Sequence, residues 1–97
     1  MTLEEFRATL TGAEPPANVG PALRALWLDG RGDWAGAHGV VDDLTTTEGM
    51  RVHAYLHRKE GDISNARYWY GRAGIEPSLL PLEREWERLV KDLLSSK

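Results

Sequence analysis

The chain has 97 residues, 41% of them hydrophobic and 28% charged, with a net charge of −3 and no cysteine. One compact domain is the expectation for that length. The missing cysteine excludes disulfides, thiolate chemistry and the common zinc sites built on Cys, and the acidic balance argues against a wholly basic nucleic-acid surface.

No apolar run approaches the ~20 residues of a membrane span. The start, "MTLEEFRATL", is acidic and amphipathic, unlike the basic-then-apolar opening of a signal peptide. A cytoplasmic protein is expected, with neither nucleic acid nor membrane as partner. Charge is uneven: residues 1–49 balance to −5 and residues 50–97 to +2.

Helical periodicity dominates, and no segment shows the sustained alternation of a strand. Thr2 followed by Glu5 is a capping-box pattern ahead of Leu3, Phe6 and Leu10, which predicts a first helix over about 2–11. "TGAEPPANVGP" breaks it, because adjacent prolines cannot continue a helix. A second helix runs from about Pro21 to Leu28. "DGRGD" turns the chain, and Asp33 can cap a third helix through Leu44. Thr45, Thr46 and Thr47 offer an N-cap for a fourth helix over about 48–59. Gly61 closes it, Asp62 caps a fifth through Ala73, and Gly74 fits the C′ position. Pro81 opens the last helix, 81–94, with Leu82, Trp86, Leu89, Val90 and Leu93 on one face.

A shift of 29 residues places Gly32-Asp33 on Gly61-Asp62, Ala37 on Ala66 and Ala25 on Ala54. Each unit reads helix, Gly-Asp turn, helix: glycine permits the bend, aspartate caps, and small alanines let two helices approach closely. "AYLHRKEGDISNARYWYGRAG" resembles a tetratricopeptide-type helical hairpin, carried by Ala54, Gly61-Asp62, Ala66, Tyr70 and Ala73, with Pro77 near the usual terminal proline. The first hairpin matches through Gly32, Asp33, Ala37 and Val41, and the units are shorter than the family's usual ~34 residues. "YWYGRAG" also resembles small bacterial proteins of this architecture, a likeness that implies no activity. The expectation is one all-α domain over 1–97, of five to six helices in antiparallel hairpins: hairpin one about 21–44, hairpin two about 48–74, capping helices about 2–11 and 81–94. The resemblance implies a right-handed array.

Two constellations could carry function. Arg51, Tyr55, Arg58 and Lys59 fall within about a third of the fourth helix's wheel, at 100° per residue. In tetratricopeptide proteins that helix lines a concave groove, so the resemblance puts a basic, tyrosine-bearing strip where an acidic peptide or chain terminus would lie. A non-enzymatic protein-interaction module is the favoured function. It needs no catalytic residue and no cofactor. A solvated polar face is the plain alternative for the strip.

The second constellation is histidine. His53 and His57 stand four apart on one helical face, a spacing that can chelate a metal. His38 could be a third ligand, with Glu60 or Asp62 as a carboxylate. Ala54 fills the place of the glutamate in His-Glu-x-x-His, and buried histidines bonded to carboxylates or backbone explain the spacing equally well. The alternative function is therefore a small metal-binding protein or metal-dependent hydrolase using His38, His53 and His57. Other chemistry is thin: "GRGDWAG" lacks the Lys-Ser/Thr of a phosphate loop. Among the aromatics, Tyr55 and Tyr68 are expected at the surface and the rest in the core.

Overall fold

The computed structural model describes residues 1–95, and all regular structure among them is helical. Helix α1 spans Leu3–Ala8 and runs on as a 3-10 turn, Thr9–Thr11; then come α2 (Pro21–Gly30), α3 (Trp34–Val41), α4 (Thr47–Lys59), α5 (Ile63–Ala73) and α6 (Leu82–Ser95). The all-α expectation holds.

The helix starts follow the capping chemistry. Thr2 Oγ1 accepts from the Glu5 amide while Glu5 accepts from the Thr2 amide, the reciprocal pair of a capping box. Of the three threonines at the start of α4, Thr46 is the cap, accepting from the Gly49 amide at 3.1 Å. Pro81 lies one residue outside α6, and its carbonyl accepts from the Arg84 and Glu85 amides. α3 ends at Val41 rather than Leu44. Leu44 is needed elsewhere, for its side chain covers Gly49, where an added Cβ would stand 2.6 Å from it.

The two Gly-Asp turns are built alike. Gly32 and Gly61 have φ of 83° and 90°, in the left-handed region that favours glycine. Asp33 and Asp62 each accept from the backbone amide three residues on, Gly36 and Asn65. The Asp33 amide donates to the Leu28 carbonyl and the Asp62 amide to the His57 carbonyl, both at 2.9 Å, the second bond lying 29 residues after the first. Around these turns, Ala25, Ala37, Ala54 and Ala66 are buried, and α2 packs on α3 as α4 does on α5.

The main core joins Phe6, Leu26, Val41, Val52, Leu56 and Val90, with α6 closing over it through Trp86, Leu89 and Leu93. Three indoles reach a backbone carbonyl: Trp27 to Thr9, Trp34 to Leu56 and Trp86 to Leu26. Each buried N–H is thereby satisfied. A smaller cluster of Ala54, Ala66 and Tyr70 fills the α4–α5 contact. α4 is the central helix, touching α2, α3, α5 and α6, and all of Val52–His57 is buried. No helix among the described residues is long and apolar enough to cross a membrane.

Candidate metal centre

The four strip residues are all tied to acids on neighbouring helices, and only Tyr55 among them is buried. Arg51 pairs with Asp92 at 3.0 Å and Arg58 with Glu85 at 2.7 Å, both across to α6. Lys59 pairs with Asp29 of α2 at 2.9 Å, and the Tyr55 hydroxyl donates to the other oxygen of the same carboxylate at 2.8 Å. Tyr55 is only 2% exposed, against the surface position expected for it. Burial, then the Asp29 charge beside it, pushes its hydroxyl well above the usual phenol range. Tyr68, by contrast, is exposed as expected.

The physical reason is charge matching between helices. Arg51 and Arg58 are seven residues apart, two helical turns; so are Glu85 and Asp92. The pairing joins the earlier arginine to the later acid, so α4 and α6 run antiparallel with two rungs of opposite charge between them. Glu85 is itself 5% exposed and also accepts from the Tyr70 hydroxyl at 2.5 Å. This shared seven-residue spacing was present in the sequence, and Asp29, Glu85 and Asp92 are the residues a reading of α4 alone passes over.

The histidines do converge. His38 of α3 and His53 and His57 of α4 each offer one ring nitrogen, and the three nitrogens lie within 4.8 Å of one another. Their ring centroids stand 4.9, 5.1 and 4.9 Å apart. Local helix geometry sets this up: His53 and His57 are one turn apart, and His38 is one turn on from Trp34, whose indole stacks on it at 5.0 Å and 7°. Trp69 of α5 stacks on His53 at 3.9 Å. Two indoles thus border the cluster, and Trp34 is itself tied by its N–H to α4.

His53 and His57 are buried, whereas the His38 side chain keeps 27% of its surface exposed and is the cluster's edge to solvent. His53 has a buried Nδ1 with no hydrogen-bond partner. Its pKa is lowered to about 4, by burial first, then by the neighbouring His57 and His38, with Asp42 acting in the opposite sense. It is therefore neutral at pH 7, the form in which imidazole ligates. His57 Nδ1 lies 2.7 Å from a Glu60 carboxylate oxygen, and its Nε2 lies 3.3 Å from the Asn65 side-chain nitrogen. His57, Glu60 and Asp62 form a second close group, with both acids at the surface.

Three imidazoles with carboxylates nearby and no thiolate suit Zn²⁺, Ni²⁺ or Cu²⁺ rather than Ca²⁺ or Mg²⁺. Nitrogens sharing one zinc at ~2.0–2.1 Å stand roughly 3.3 Å apart in a tetrahedron, so an ion bound by all three would require the rings to close by up to about 1.5 Å. Comparison with known proteins adds no likeness: the chain has no significant match to a protein-family model, a curated protein or a solved structure.

Proposed function

We propose that the protein binds one divalent transition-metal ion through His38, His53 and His57. The observation that carries this reading is the convergence of three histidine nitrogens from two different helices within 4.8 Å. A satisfied core histidine would be expected to direct each buried nitrogen at a partner, and the buried Nδ1 of His53 has none. An ion held here also ties α3 of the first hairpin to α4 of the second, so its role is structural as well as binding. Hydrolysis would further need a base and a substrate cleft beside the ion, so binding alone is proposed. A tetratricopeptide-like order of the hairpins is part of the same reading, supported by the matched turns at Gly32-Asp33 and Gly61-Asp62.

An acidic partner at the basic strip would have to displace Asp92, Glu85 and Asp29 from Arg51, Arg58 and Lys59. The metal reading requires no such exchange and takes precedence. Thermal melts with and without Zn²⁺ or Ni²⁺ test it. A ligand bound only by the native state raises stability by mass action, about 2.7 kcal/mol at a hundred times its Kd. A rise in Tm with metal that disappears in His38→Ala supports the reading. An unchanged Tm at saturating metal overturns it.

A further inference from the structure

We propose that Glu60 is the positioning residue of this site, holding His57 in the tautomer whose Nε2 ligates, and that Asn65 is the group the ion displaces from that nitrogen. The inference rests on the metal-binding reading and deepens it.

The argument is one of donors and acceptors. A neutral imidazole has one nitrogen that donates and one that accepts. An ionised Glu60 can only accept, so at 2.7 Å it places the hydrogen of His57 on Nδ1. That leaves the lone pair on Nε2. Asn65 presents its amide nitrogen to Nε2 at 3.3 Å, and an amide nitrogen can only donate. The two contacts thus agree on one tautomer from opposite sides of the ring. The reversed amide would set the Asn65 oxygen against the same lone pair.

The backbone fixes both partners. Glu60 is the C-cap residue of α4, one turn after His57. Asn65 sits in the first turn of α5, its own amide held by the Asp62 cap. A carboxylate on the far nitrogen is the usual outer support of a ligating histidine, and it raises the basicity of the nitrogen that binds. The long Asn65 contact is the weaker of the two. A metal at Nε2 must replace it, while the Glu60 contact is kept.

Glu60→Gln and Asn65→Ala therefore move affinity in opposite directions. Titration with Zn²⁺ and with Ni²⁺ should give a Kd about ten-fold weaker for Glu60→Gln, in the range usual for outer-shell partners. Asn65→Ala should be several-fold tighter, because a competing hydrogen bond is gone. Long-range ¹H–¹⁵N spectra of the metal-free wild type should find the His57 hydrogen on Nδ1, and Glu60→Gln should mix the tautomers. A purely structural role for Glu60 would lower Tm without altering either readout. Wild type binding normally, with both variants unchanged in affinity, overturns this inference alone, as does a metal-free His57 protonated on Nε2. Failure of the wild type to bind either metal overturns the metal-binding reading and this inference together.

Discussion

Trp69 lies face to face with His53, ring centroids 3.9 Å apart and planes 16° from parallel. With Trp34 on His38, half of the chain's four tryptophans border the candidate centre. Cu²⁺ or Ni²⁺ bound at the histidines should therefore quench the intrinsic fluorescence. Trp69→Phe keeps an aromatic wall and should remove a substantial part of the quenching at unchanged metal affinity. Quenching untouched by Trp69→Phe would place the ion elsewhere.

Acid should destabilise the metal-free protein through His53. Its folded pKa is lowered from the ordinary 6.5 to about 4, burial being the largest cause. Above pH 6.5 the ring is neutral in both folded and unfolded chains. Between pH 6.5 and 4 the unfolded chain takes up a proton that the folded one refuses, so stability falls as pH falls across that window. The full loss is on the order of 3 kcal/mol. Urea melts at pH 7 and pH 4.5 measure it, and His53→Phe, which keeps an aromatic ring there, should flatten the difference. A wild type equally stable at both pH values contradicts the burial argument.

Arg58→Glu should destabilise the fold. The substitution sets a second carboxylate against Glu85, which is 5% exposed and paired with Arg58 at 2.7 Å. Leaving a buried charge without its partner costs about 3–5 kcal/mol, and partial exposure of Arg58 puts this case at the lower end. Denaturant melts read the change directly. Stability within ~0.5 kcal/mol of the wild type would mean that the residue behaves as an ordinary surface position.

Removal of the Tyr55 hydroxyl probes the contact of the same strip with α2. In Tyr55→Phe the buried Asp29 carboxylate keeps Lys59 and loses one of its two acceptor contacts. The expected cost is about 1–3 kcal/mol. The effect should persist in high salt, since the hydroxyl contact is buried rather than screened.

The local grammar of this chain was legible from sequence and its longer-range pairing was not. Caps at Thr2, Asp33 and Asp62, the breaks at "EPP" and the Gly-Asp turns are decided by neighbours three or four residues away, and they stand where the spacing put them. The histidine spacing gave two members of the cluster, because positions four apart share a face on any helix. The third, His38, depended on which face of α3 meets α4, and Trp34 decides that by bonding the Leu56 carbonyl.

The pairing of the strip lies outside what a helical wheel can show, for a physical reason. A helical wheel sorts residues by polarity, and α4 is covered on several sides at once, so Tyr55 is buried while Arg51, Arg58 and Lys59 meet acids and keep part of their surface in water. A tyrosine among charges reads as exposed only if those charges are solvated. They are instead paired with Asp29, Glu85 and Asp92, residues 27 to 41 positions away in the chain.

Isothermal titration of the wild-type protein with Zn²⁺ at pH 7 tests the central claim most directly. One ion per chain is predicted, with the heat lost in His38→Ala and His57→Ala while their helical circular dichroism is retained. No saturable heat for the wild type, or binding that both variants retain in full, would contradict it.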